Sequence, residues 1–193
     1  MVPGNVIPGC AFVSRLWPAG KREWFFVGIS IYGSSERTRI GGTSSTERNV
    51  IAGNFYGIQI GSARNVNILG NFIGLDATGT TALGNTGPGI QVSDSSGVVI
   101  GGGDATNYIA ANRQGIIVSN SSEVGIYYNV IGTDTSLTLV ADNFQYGIVL
   151  DGSTNVAIGN AEGGGNIIVN NLVSGIRIQN QANNNIIKGN FIG

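Results

Sequence analysis

The sequence predicts an all-β solenoid of about six turns, and three observations carry that prediction. A phrase of glycine, apolar, any residue, apolar recurs six times: Gly28-Ile29-Ser30-Ile31, Gly57-Ile58-Gln59-Ile60, Gly89-Ile90-Gln91-Val92, Gly115-Ile116-Ile117-Val118, Gly147-Ile148-Val149-Leu150 and Gly175-Ile176-Arg177-Ile178. Every copy is followed by a turn and a second apolar run. The composition agrees: 41% hydrophobic, 11% charged and 32 glycines. Those glycines stand at fixed points ahead of Ile-x-Ile, which a disordered low-complexity tract would not require.

Residues 1–27 fit neither repeat and hold Trp17, Trp24, Phe25 and Phe26. The open end of a solenoid exposes strand edges that recruit other chains. Residues 1–27 therefore read as an N-terminal cap, with a dimerisation or membrane-surface patch as the alternative. Residues 28–193 form the repeats.

Within each turn a short strand alternates its side chains with period two, so Ile58 and Ile60 face one way and Gln59 the other. Turns lie about 4.8 Å apart, which stacks Ile58, Ile90, Ile116, Ile148 and Ile176 into one column. The glycine ahead of each strand marks a corner of positive φ or close backbone approach. The second apolar runs come in two alternating kinds. One reads Arg39-Ile40-Gly41-Gly42, Val99-Ile100-Gly101-Gly102 and Ala157-Ile158-Gly159-Asn160. The other begins at Ile68, Ile126 and Ile187, and its first two copies lead into longer loops from Asp76 and Asp134. The unit is thus two turns, about 60 residues.

Asparagine recurs at corners: Asn54, Asn112 and Asn170 or Asn171 ahead of the glycine phrase, and Asn71, Asn129 and Asn190 ahead of an Ile-Gly pair. Asparagine tolerates left-handed backbone and stacks into amide ladders. Asp76 and Asp134 read as Asx-turns, with calcium binding as the minority alternative. At Gly193 the chain stops where earlier copies continue, so the last turn is expected either to continue in a longer protein or to meet another subunit, giving a homo-oligomer through the solenoid ends.

Several classes are excluded. There is no histidine, and Cys10 is alone, so no internal disulfide or cysteine metal site forms. No stretch reaches a membrane span, and Met1-Val2-Pro3-Gly4-Asn5 lacks a signal-peptide pattern. Residues 1–64 carry seven basic and three acidic side chains, and residues 65–193 three and eight. The basic residues are not arranged as a nucleic-acid stripe.

The segments Asn71 to Asp76, Asn129 to Asp134 and Asn49 to Asn54 resemble the right-handed parallel β-helix repeat family, the pectate-lyase-like superfamily. The resemblance covers about residues 28–193. It implies a single-stranded right-handed parallel β-helix, a polysaccharide as the first ligand class, and a bacterial, extracellular or cell-surface setting. Its polygalacturonases use a Gly-His-Gly and an Arg-Ile-Lys element. This chain has no histidine, and Arg177-Ile178-Gln179 lacks the lysine.

Stacking still brings distant residues together. The turn five residues past each glycine forms a column of Ser62, Asp94, Asn120, Gly152 (beside Asp151) and Asn180. Asp94 and Asp151 lie about two turns apart, roughly 9.6 Å, within reach of the carboxyl pair of an inverting glycosidase. Arg177 stands beside them to hold an acidic sugar. Asp94, Asp151 and Arg177 are therefore the candidate catalytic residues. Gln59, Gln91, Tyr56 and Tyr146 are the candidate carbohydrate contacts, and Ile117 with Val149 reads as an exposed apolar spot. No cofactor is called for, and calcium is the one ion left open. The functional expectation is a non-catalytic scaffold or recognition module facing carbohydrate. The alternatives are a polysaccharide lyase or glycoside hydrolase, or a phage-type adhesin subunit.

Overall fold

The computed structural model describes residues 6–7, 11–13, 26–138, 141–160 and 162–193. Its strands assemble into three parallel sheets, each turn of the chain contributing one strand to each. The chain is a parallel β-solenoid of about five turns. The first sheet contains Val6–Ile7, Arg39–Gly41, Asn67–Leu69, Val99–Ile100, Gly125–Ile126, Ala157–Ile158 and Ile186–Ile187. The second contains Ala11–Val13, Val50–Ala52, Phe72–Ile73, Tyr108–Ile109, Val130–Ile131, Ile167–Ile168 and Phe191–Ile192. The third has the long strands: Val27–Ile31, Tyr56–Gly61, Pro88–Ser93, Gln114–Ser119, Tyr146–Asp151 and Ser174–Gln179.

The glycine phrases are the long strands, in the expected register. Ile29, Ile58, Ile90, Ile116, Ile148 and Ile176 are successive partners. Ile40, Ile68, Ile100, Ile126 and Ile158 form a second buried column, and Ile51, Ile73, Ile109, Ile131 and Ile168 a third. Burying each isoleucine contributes about 1.5–3 kcal/mol. At the last turn the columns surface, with Ile176 half-buried and Ile187 and Ile192 exposed. Of the 1–27 segment, Val6–Ile7 pairs with Arg39–Ile40 and Ala11–Val13 with Val50–Ala52. The two tryptophans and Phe25 lie outside the described residues.

Asparagine builds two ladders. At the corner between the first and second sheets, Asn49, Asn71, Asn107, Asn129, Asn166 and Asn190 are linked amide to amide. At the corner between the second and third sheets, Asn54, Asn85, Asn112, Asn143 and Asn171 do the same. Asn171, not Asn170, is the ladder residue; Asn170 turns the backbone left-handed at φ 52°. The third corner carries serine instead: the Oγ atoms of Ser95, Ser121 and Ser153 accept from the amides of Ala63, Ser95 and Ser121.

The two alternating repeat kinds share the first sheet and differ in where an insertion leaves the coil. Residues 42–48, 102–106 and 160–165 are inserted between the first and second sheets; residues 74–84 and 132–142 between the second and third. The latter two loops touch, Thr135 donating from its backbone N–H to the Gly79 carbonyl at 3.1 Å. Within them Asp76 accepts from Thr78 Oγ1 at 2.7 Å and from the Thr80 and Thr81 amides at 3.1 Å. Asp134 similarly accepts from Ser136 Oγ and the Thr138 amide. Desolvation raises the Asp76 carboxyl, but the Thr78, Thr81 and Thr80 hydrogen bonds outweigh it and hold its pKa at about 2. Because that value lies below the unfolded one, the ionised carboxylate supports the loop above about pH 4, and its support is lost as pH falls toward about 2. The Thr80 and Thr81 amide resonances are expected to stay fixed above that window and to shift within it.

Candidate functional site

On the outer face of the long-strand sheet, Ser30, Gln59, Gln91, Ile117, Val149 and Arg177 form one row by register. Gln59 Nε2 donates to Gln91 Oε1 at 3.1 Å. Gln114 donates to Gln145 on the following turn. Tyr56 and Tyr146 stand at the starts of their strands, both half-buried. Tyr56 packs edge-on against Phe55 at 4.7 Å. The Arg177 guanidinium lies 4.9 Å from the Tyr146 ring centroid and donates to its hydroxyl. The expected apolar spot is corrected: Val149 is only 6% exposed, lying between its partners Ile117 and Arg177.

The corner leading from this sheet to the first one carries no insertion. Each turn there passes through a left-handed residue in the expected column: Ser62, Asp94, Asn120, Gly152 and Asn180, with φ between 46° and 61°. Asparagine, aspartate and glycine accommodate this conformation at little cost. A second column, Glu36, Arg64, Ser96, Ser122, Thr154 and Asn183, is bridged turn to turn. Between the two columns the chain dips into the core at Ala63, Ser95 and Ser121. The result is a groove of about 460 Å³ with Ser62, Asp94 and Asn120 on one rim and Arg64, Ser96 and Ser122 on the other.

The sequence-predicted residues separate in space. Asp94 lines this groove, and its carboxylate has no hydrogen bond or ion pair among the described residues. Asp151 falls in the column of Ser93 and Ser119, one position short of Asp94. Its carboxylate accepts from Gln179 Nε2 at 3.1 Å and Asn180 Nδ2 at 2.6 Å, both on the next turn. Arg177 lies over Tyr146, outside the groove lining. Among the described residues no three His, Cys, Asp or Glu side chains cluster in a way that could hold a metal ion. Sequence reasoning missed Arg64, Ser96 and Ser122 as a rim, although each stands seven residues after its glycine.

No family model matches the chain, and no curated protein matches it. Among solved structures it is similar to a crystal structure of a point mutant of the periplasmic alginate epimerase AlgG, at 17% identity and a TM-score of 0.61. What the two share is the fold. The chain is a parallel β-helix. The match covers 86% of this β-helix and 36% of the epimerase chain, so the β-helix spans about a third of that protein's length. No helix among the described residues of the β-helix is long and apolar enough to cross a membrane.

Proposed function

We propose that this β-helix is a recognition or scaffold module of a secreted or surface protein that holds a polysaccharide along the outer face of its long-strand sheet. The observation that carries this reading is the row itself. The Gln59–Gln91 amide pair and Arg177, whose guanidinium lies over Tyr146, fall in one row at a turn spacing of about 4.8 Å, with Ile117 and Val149 between them. Amides hydrogen-bond hydroxyls, tyrosine rings offer an apolar face with a polar tip, and a guanidinium pairs with a sugar carboxylate. The similarity to a periplasmic, alginate-modifying enzyme supports both the ligand class and the extracytoplasmic setting.

The test is binding to a panel of neutral and acidic polysaccharides, alginate included, with and without calcium. Arg177→Ala is expected to weaken binding of an acidic polymer about tenfold, close to one charge-assisted hydrogen bond. Equal binding by that variant, or silence across the panel, would count against the reading. One observation favours an enzyme instead: the unpartnered Asp94 carboxylate at the groove. Turnover of any polymer that disappears in Asp94→Ala would support the lyase or hydrolase alternative.

A further inference from the structure

We propose that the corner groove is a second ligand site, separate from the sheet face, that takes a zwitterionic sugar segment: an ammonium group at Asp94 and a carboxylate at Arg64. The two charges occupy opposite rims on neighbouring turns. They form no ion pair with each other, and neither has a partner among the described residues. The hydroxyls of Ser62, Ser96 and Ser122 are likewise unused. The serine column forming the floor is already committed to backbone, with Ser95 Oγ donating to the Ser93 carbonyl at 2.7 Å. Ligand contacts must therefore come from the rims, whose backbone is fixed turn by turn, so the ordering cost is confined to exposed side chains such as Arg64, about 0.5–1.5 kcal/mol each.

The charge pattern selects among ligands. A neutral glycan would satisfy the hydroxyls but leave both charges unmatched. A polyanion would meet the Asp94 carboxylate on the groove rim, while Glu36, which precedes Arg64 in its column, is offset by the adjacent Arg37. An amino sugar joined to a uronate meets the charges with opposite ones, and its hydroxyls face the serines. The site is open, so screening keeps each ion pair weak and the affinity in the millimolar range. This proposal does not rest on the sheet-face reading, and either can fail alone.

The experiment is an NMR titration of the full chain with a glucosamine–glucuronate disaccharide bearing a free amine, its N-acetylated form and its methyl ester. A Lys-Ala-Glu peptide is the non-sugar arm. The free disaccharide is expected to bind about five- to tenfold more tightly than either blocked form, with shifts at residues 62–64 and 94–96. Asp94→Asn should erase the preference for the free amine, and Arg64→Gln the preference for the free carboxylate. Glu162→Gln, on a distant loop, should change neither. Equal affinity for all three sugars, no sugar binding up to about 10 mM, a preference that survives Asp94→Asn, or a response to the peptide alone would overturn the proposal. Both variants are at exposed positions, and an unchanged amide spectrum verifies that they fold.

Discussion

An alanine at Gly115 is expected to destabilise the solenoid by about 3 kcal/mol, the upper part of the range for overpacking a close-packed core. The added Cβ would stand 2.5 Å from the Gly147 carbonyl oxygen, 2.9 Å from Ile131 Cγ2 and 3.2 Å from Asn143 Nδ2. The first of these is backbone, held in the ladder between turns, and cannot swing aside. The same approach recurs at Gly28, Gly57, Gly89 and Gly147, where a Cβ would lie 2.5–2.9 Å from the carbonyl of the next glycine. None of these glycines has a positive φ, so the requirement is space rather than backbone conformation. Gly103, with nothing within 4 Å, is the matched control, and Gly103→Ala is expected to change stability by less than about 0.5 kcal/mol. Urea midpoints of the two variants measure the contrast; comparable midpoints would show that the column yields more readily than its geometry implies.

The second large effect is expected at Asn112, which is fully buried. Its Nδ2 donates to the carbonyls of Ala110 at 2.9 Å and Ile73 at 3.2 Å, and to Asn143 Oδ1 at 3.3 Å. Its Oδ1 accepts from the backbone N–H and side-chain Nδ2 of Asn85, at 3.2 and 2.7 Å. Asn112→Ala leaves two buried donors of Asn85 without that acceptor and costs about 3 kcal/mol. Asn112→Asp keeps the acceptor but loses the donor and places a charge in the core. At neutral pH it should be the less stable variant. Burial raises the folded pKa of that carboxyl above its unfolded value, so the deficit shrinks as pH falls toward about 4. Thermal melts across that interval distinguish the two variants, and equal tolerance of both would mean that the ladder amides contribute little.

The fold was legible because apolar periodicity and repeat spacing report directly on which residues stack. Ile58 to Ile176 needed no further information. The glycine column was legible as a pattern but not in its cause, since spacing cannot separate positive φ from close approach. Half of the first ladder was visible, and in the second Asn85 and Asn143, which close the longer insertions, were not. Asn49, Asn107 and Asn166 were obscured because insertions of differing length precede them, yet each directly precedes an apolar-Ile pair, as Asn71 and Asn129 do. For the site, the column of Ser62, Asp94 and Asn120 followed from register alone. The orientation of Asp151 did not, because two competing side chains on the next turn, Gln179 and Asn180, decide it. The covering of Val149 has the same origin: alternation says which side of a strand a residue is on, not how much of it the neighbouring turns cover.

The asparagines that close each insertion give the molecule a property beyond stability. Whatever path the chain takes over 74–84 or 160–165, Asn85 and Asn166 return it to the same hydrogen bonds with the turns on either side. The ends of each excursion are thereby fixed, while parts of it still pack on the coil: Leu75 is fully buried beside Phe72 and Ala110, and the Gly53 amide donates to the Leu83 and Gly84 carbonyls. The exposed stretches, such as Glu162 and Gly163, are the exchangeable part: lengthening the chain there costs little more than the entropy of a longer closure, about 0.6 kcal/mol per doubling. The shaft can therefore present new surfaces along its flank without being rebuilt.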